Sequence, residues 1–268
     1  MSGEAHSIFL AGAGRMGGAL LRGWLAAGIQ PSSLAVAEPH PSPEIAALLK
    51  DNAIPAVPPP APDVLVLAVK PQIMNQVLAG IAPLAGPQTT VLSIAAGRTV
   101  ASIASHFPAG TAIVRAMPNL PAEIGRGITA AYANAQVTPA GRALCDRLLR
   151  AAGEVAWIED ESLIDAVTAV SGSGPAYVFH LVECLAEAAQ AAGLPPDLAA
   201  KLARATVTGA GELLHRSPLG PAQLRENVTS PGGTTAAGLS VLMGEPSLKD
   251  LIRGTVAAAA QRSRELSS

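Results

Sequence analysis

Up to about residue 158, short apolar runs rich in Val, Ile and Leu alternate with alanine-rich stretches of helical period. The runs are Ile8–Ala11, Leu34–Ala37, Val64–Val69, Thr90–Ile94, Thr111–Ala116, Ile128–Tyr132 and Glu154–Ile158. Helical stretches fall between them near 15–28, 43–52, 72–80, 99–106 and 138–151. Strand, helix and strand in alternation is the pattern of a parallel sheet with crossover helices. The segment Val64-Leu65-Val66-Leu67-Ala68-Val69 is apolar without alternation, so both of its faces should be buried, as at the centre of such a sheet. The proline cluster Pro55 to Pro62 directly precedes that segment and reads as a rigid loop inside the domain. Residues 1–159 are therefore expected to form a doubly wound α/β domain.

Beyond residue 160 the β-like runs stop, and helical segments broken by Gly and Pro follow near 160–170, 175–192, 196–216, 220–228, 233–243 and 246–265. Residues 160–268 thus read as a second, all-helical domain. The helix that begins at Pro175 is so rich in Ala, Leu and Val that it needs burial on most sides, which a small domain achieves by packing against a second copy. Composition strengthens that reading. With 49% hydrophobic and 14% charged residues, the surface cannot be covered generously by charge, and an oligomer is expected.

A net charge of -2 gives no broad cationic field for a polyphosphate backbone, so nucleic acid is not an expected partner. Cys145 and Cys184 sit in helical patterns without the spacing of a zinc or redox motif and are expected as buried thiols. The histidines, His6, His40, His106, His180 and His215, include no pair at i, i+4, so no metal site is expected. Met1 to His6 carries no basic region, and the apolar stretch after it ends in glycines. Signal peptides and spanning segments need longer apolar runs, so no membrane association and a cytoplasmic location are expected.

The first run leads directly into Gly12-Ala13-Gly14-Arg15-Met16-Gly17, and a helical stretch follows at once. This is the G-x-G-x-x-G turn in its strand-turn-helix setting. Gly12 permits the tight turn, Gly14 lets backbone approach a diphosphate, and Gly17 lets helix and strand pack closely. The free N–H groups of the helix start favour an anion. Glu38, at the end of the second run, stands 21 residues after Gly17 (38 − 17), close to the offset at which an acid reaches a ribose 2′-hydroxyl. A carboxylate there repels a 2′-phosphate, which on residue chemistry favours NADH over NADPH.

Strand ends in such a sheet face the cofactor, and two of them carry suitable chemistry. Ala68-Val69-Lys70-Pro71 closes the third run, and Arg115-Ala116-Met117-Pro118-Asn119 closes the fifth. In the helical half, Ser171-Gly172-Ser173-Gly174-Pro175 and Thr229-Ser230-Pro231-Gly232-Gly233-Thr234-Thr235 place hydroxyls and small residues at helix starts, where the hydroxyls are expected to cap orphan N–H groups and a carboxylate can rest. Carbonyl reduction needs a strong proton donor such as a His–Asp or Tyr–Lys pair, and none stands near these loops. An imine nitrogen can be protonated before hydride arrives, so the pattern points to a C=N substrate bearing a carboxylate.

The quoted motifs, together with Val114 before Arg115, Ala176-Tyr177 after Pro175 and Asn227-Val228 before Thr229, resemble the pyrroline-5-carboxylate reductase family from end to end and in order. The resemblance implies an N-terminal Rossmann-type domain and a C-terminal helical dimerisation domain, with dimers gathering into larger rings such as a decamer. It implies reduction of 1-pyrroline-5-carboxylate to L-proline by NADH or NADPH. The cofactor would meet the turn from Gly12 to Gly17, Glu38, Val69, Lys70, Pro71, Met117, Pro118 and Asn119. The substrate carboxylate would rest on the N–H groups around Gly232, Gly233, Thr234 and Thr235 of a partner subunit, beside Ser230. Ser171 and Ser173 would floor the pocket, with Lys70 nearby, and Thr235 would serve as the catalytic donor. Arg15 stands where many relatives carry Asn, and Glu38 is not general in the family, so coenzyme preference does not transfer. Two other readings remain at this stage: reduction of a six-membered cyclic imino acid, and a non-catalytic dinucleotide sensor.

Overall fold

The computed structural model describes residues 6–267, so the expectation about the leader lies outside them from Met1 to Ala5. The chain divides into two compact units, one running to Gly172 and resuming at Ala260, the other spanning Ser173–Ala259. The expected division at 159/160 follows the change in residue pattern, whereas packing groups the next dozen residues and the chain's last turns with the sheet. Contacts inside the first unit explain the grouping, among them the Ser263 hydroxyl donating to Asp165 at 2.6 Å.

In the first unit the strands are β1 (Ile8–Ala11), β2 (Leu34–Ala37), β3 (Val64–Leu67), β4 (Thr90–Ser93), β5 (Ala112–Met117), β6 (Gly127–Ala133) and β7 (Gly153–Trp157). Among the described residues they form one seven-stranded sheet in the order β2-β1-β3-β4-β5-β6-β7. Neighbours are parallel throughout except β5 and β6, which run antiparallel. The sheet expected as parallel is corrected at that point. A parallel crossover needs about a dozen residues or more, and the link from Pro118 to Arg126, tightened by a 3-10 turn at Leu120–Ile124, is too short for one.

Helices α1 (Arg15–Ala26), α2 (Pro43–Asp51), α3 (Met74–Ile81), α4 (Val100–Ala104) and α5 (Pro139–Arg150) cover the sheet. Three of them start on hydroxyl caps: Ser42 accepts from the Ile45 N–H, Thr99 from Ser102 and Thr138 from Gly141. Each cap satisfies one of the donors that a helix start leaves orphaned. Residues alternate along the central strands between two cores. Ile8, Leu10, Val64, Val66 and Val114 join one, while Phe9, Leu65, Leu67 and Ile113 join the other. The absence of polar alternation in β3 thus corresponds to burial on both faces. Trp24 is fully buried, and its indole N–H donates to the Leu148 carbonyl at 2.9 Å, fixing α1 against α5.

The helix expected over 160–170 is instead a 3-10 turn at Glu161–Leu163, the single turn α6 (Ile164–Val167) and a π-helical turn at Thr168–Gly172. Thr168 donates its hydroxyl to the Ile164 carbonyl at 2.8 Å, competing for a helical acceptor where the turn widens.

The second unit holds α7 (Gly174–Ala191), α8 (Pro196–Arg216), α9 (Pro221–Asn227), α10 (Thr234–Leu242) and the first turns of α11 (Leu248–Ser267). The helices α7 and α8 pack against each other, yet α7 buries none of its residues and exposes Val178, Phe179, Leu181 and Leu185. Cys145 is buried as expected; Cys184 is exposed on α7, a correction that follows from the same unpaired helix surface. Among the described residues no helix is long and apolar enough to cross a membrane.

Candidate cofactor and substrate sites

At the head of the sheet, β1 delivers the chain to Gly12, whose φ of 94° lies in the region that favours glycine. The Gly12 N–H donates to the Ala37 carbonyl at the end of β2 at 2.8 Å, and a Cβ at Gly12 would sit 2.8 Å from the Ala68 carbonyl oxygen beyond β3. The turn is thereby pinned between both neighbours of β1. A Cβ on Gly17 would lie 2.1 Å from the Gly12 oxygen, so α1 can approach the turn this closely only with glycine there. Gly14 is different: it is exposed, and a Cβ there would meet nothing within 4 Å. It is also the N-cap of α1 and provides no side-chain cap. An anion can therefore approach the first N–H groups of α1 across open space, with the helix dipole in its favour. These features fit a dinucleotide diphosphate.

Two carboxylates border the turn. Glu38, half-buried just past β2, accepts from the Ala13 N–H at 2.9 Å through one oxygen and from the His40 N–H at 3.0 Å through the other. Glu123 pairs with the exposed Arg15 at 3.0 Å. Met16 packs against the core beneath the turn.

The other sequence-predicted strand ends lie at the same edge of the sheet. Lys70 is exposed and opens the 3-10 turn Pro71–Ile73, directly after Val69. Arg98, which sequence reasoning missed, donates to the Pro71 carbonyl at 2.9 Å and to the Ser102 hydroxyl at 3.4 Å. The detectable signal was its place just beyond the end of β4, the same kind of strand-end position as Lys70. Past β5, Asn119 donates from its amide to the Ser171 hydroxyl at 3.2 Å and accepts the Ile128 N–H at 3.0 Å. A Cβ on Gly172 would come 2.7 Å from the Met117 methyl, and Pro118, next in the chain after Met117, is buried. The motif after β5 and the first half of the Ser171-Gly172-Ser173-Gly174 motif therefore meet, as a shared site requires.

The second unit contains the remaining predicted residues. Ser173 precedes α7 but makes no side-chain cap bond, so its expected hydroxyl cap is absent. Ahead of α10, Gly232 turns the chain with a φ of 70°, and the Gly233 N–H donates to the Ser230 carbonyl at 3.0 Å. Gly233 is the N-cap and no side-chain cap bond is made, so the first N–H groups of α10, at Thr234 and Thr235, are left uncapped, as anion binding at a helix start requires. Thr234 and Thr235 are exposed, whereas the Thr229 hydroxyl is occupied by the Arg225 carbonyl at 2.6 Å.

An open glycine turn feeding an uncapped helix at the head of a mostly parallel sheet defines a dinucleotide-binding α/β protein. Comparison with known proteins carries this further. Residues 161–266 match the family model for pyrroline-5-carboxylate reductase dimerisation, and residues 7–97 match that for NADP oxidoreductase, coenzyme F420-dependent. A pyrroline-5-carboxylate reductase of Pseudomonas aeruginosa is 39% identical over 97% of this chain and 96% of its own. The solved pyrroline-5-carboxylate reductase of Coxiella burnetii superposes with a TM-score of 0.91 at 32% identity, covering 99% of this chain and 100% of that one. The Plasmodium falciparum pyrroline carboxylate reductase, solved with NADP bound, gives 0.80 at 29% identity over 98% of each chain. The chain belongs to the pyrroline-5-carboxylate reductase family.

Proposed function

We propose that this protein reduces 1-pyrroline-5-carboxylate to L-proline with NADH or NADPH, the closing step of proline synthesis. The observation that carries the reading is the open approach to Gly14 and the uncapped start of α1, in a chain similar along its length to reductases of that name. The diphosphate would rest on the turn from Gly12 to Gly17, with Val69, Lys70, Pro71, Met117, Pro118 and Asn119 lining the remainder. When bound, the dinucleotide supplies the hydride. Gly233, Thr234 and Thr235 of a second subunit would hold the substrate carboxylate on their N–H groups, with Ser230 beside them. Ser171, Ser173 and Lys70 would complete the pocket. The Thr235 hydroxyl would stand at the ring nitrogen, accepting the N–H of an imine protonated before reduction and donating to the amine nitrogen that hydride addition leaves.

Residues 160–268 are assigned to substrate binding and dimerisation. The apolar side chains left exposed on α7 and the match to the dimerisation model support the dimer. Assembly into a ring such as a decamer rests on the family resemblance, and a cytoplasmic location stays an expectation from the residue pattern. The test is direct: the purified protein should oxidise the reduced dinucleotide when 1-pyrroline-5-carboxylate is added and release an equal amount of L-proline. No oxidation with either coenzyme would overturn the assignment.

A further inference from the structure

We propose that Glu38 makes this protein select NADH against NADPH. The inference rests on the dinucleotide reading of the glycine turn and concerns the coenzyme that the same site accepts. In the sheet β1 lies between β2 and β3, so the crevice at the head of β1 opens toward the end of β2 on one side and the end of β3 on the other. A dinucleotide whose diphosphate rests at the start of α1 sends its adenosine half over β2. Glu38 stands at that end, and its position is fixed. One carboxylate oxygen is held by the Ala13 N–H of the turn itself at 2.9 Å, the other by the His40 N–H at 3.0 Å. The side chain therefore cannot swing away without giving up both bonds.

A fixed carboxylate accepts hydrogen bonds from ribose hydroxyls, but a 2′-phosphate at the same place brings two further negative charges against it. Nothing on β2 or its following loop offsets that repulsion: from Ala37 to Leu49 there is no Lys or Arg, and the loop is stiffened by Pro39, Pro41 and Pro43. The guanidinium of Arg22, on α1, is engaged by Glu44 at 3.2 Å, and that of Arg15 by Glu123 at 3.0 Å. The environment of Glu38 is thus built for an unphosphorylated ribose.

The test is equilibrium binding to the substrate-free protein, followed by fluorescence on titration with NADH and separately with NADPH. NADH is expected to bind at least about tenfold more tightly. Glu38→Gln retains an acceptor for the Ala13 N–H and removes the charge; it should narrow the ratio to within about threefold, chiefly by strengthening NADPH binding. Pro39→Arg leaves Glu38 in place and supplies a cation, and should shift the ratio in the same direction. Equal or tighter NADPH binding by the unsubstituted protein, or a ratio unmoved in both variants, overturns the proposal. Because no substrate is present, a protein that favours NADH yet does not reduce the imine contradicts only the reaction; one that reduces it but favours NADPH contradicts only the role of Glu38. Failure to bind either dinucleotide overturns both.

Discussion

The buried guanidinium of Arg115 donates to Glu161 at 2.7 Å, and the same Glu161 oxygen accepts the Val100 N–H at 2.7 Å. One carboxylate thereby joins β5, the start of α4 and the segment leading to the π-helical turn. Since Arg115 is only 5% exposed, removing its partner leaves a charge with little access to water. Glu161→Ala should lower stability by about 2–3 kcal/mol in urea denaturation, less than a fully buried pair because Glu161 keeps some solvent access. Glu161→Gln, which retains an acceptor, should lose less. Equal stability of the alanine variant and the parent would show that the pair does not secure this junction.

Two glycines of the turn should respond differently to substitution. Gly14→Val places its side chain in open space, so thermal unfolding should change little, while affinity for the dinucleotide falls by about tenfold or more as the diphosphate is obstructed. Gly17→Ala forces a Cβ against the Gly12 oxygen and should reduce both stability and binding. Calorimetry and coenzyme titration on the same preparations separate the two. Unimpaired binding by Gly14→Val would place the diphosphate elsewhere.

At α10, Thr235 is exposed and caps nothing, so its loss should not disturb the fold. Thr235→Ala is expected to lower turnover by about 10–100-fold with unchanged thermal unfolding, as removal of a proton or hydrogen-bond donor does. Gly233→Val should raise KM for the imine instead, because its side chain would crowd Ser230 at the mouth of the N–H groups. Normal turnover by the threonine variant would remove Thr235 from the mechanism.

Burial pushes the Cys145 thiol up to about 12 from its ordinary 9.0. Between those values the folded chain keeps a proton that the unfolded chain has lost, so this contribution is complete below about pH 9 and declines as pH rises toward 12. Cys145→Ala should flatten that alkaline part of the stability curve, even if the smaller side chain lowers stability overall. An identical alkaline slope in the variant and the parent would contradict the assignment.

The parallel core of the fold was legible because buried strands carry continuous Val, Ile and Leu, as β3 does. Strand direction leaves no such mark, and β6 reverses because of a short link rather than because of its own residues. The glycine turn was readable from its spacing together with the apolar run before it and the helical stretch after it, because the strand-turn-helix setting is what requires glycine there. The contact between Glu38 and Ala13 and the reach of Arg98 to Pro71 depend on how loops fold back in three dimensions, which residue spacing does not encode. The hydroxyl cap expected from Ser173 failed because the chain enters α7 directly from the π-helical turn, with Ser173 already in helical conformation.

The proposed reaction is a direct transfer of hydride from the dinucleotide to a cyclic imine. Its test is the reduction of 1-pyrroline-5-carboxylate with dinucleotide deuterated at the transferring position of the nicotinamide. L-proline should carry one deuterium on the ring carbon that was doubly bonded to nitrogen. Proline formed without the label, or label retained entirely in the dinucleotide, would contradict it.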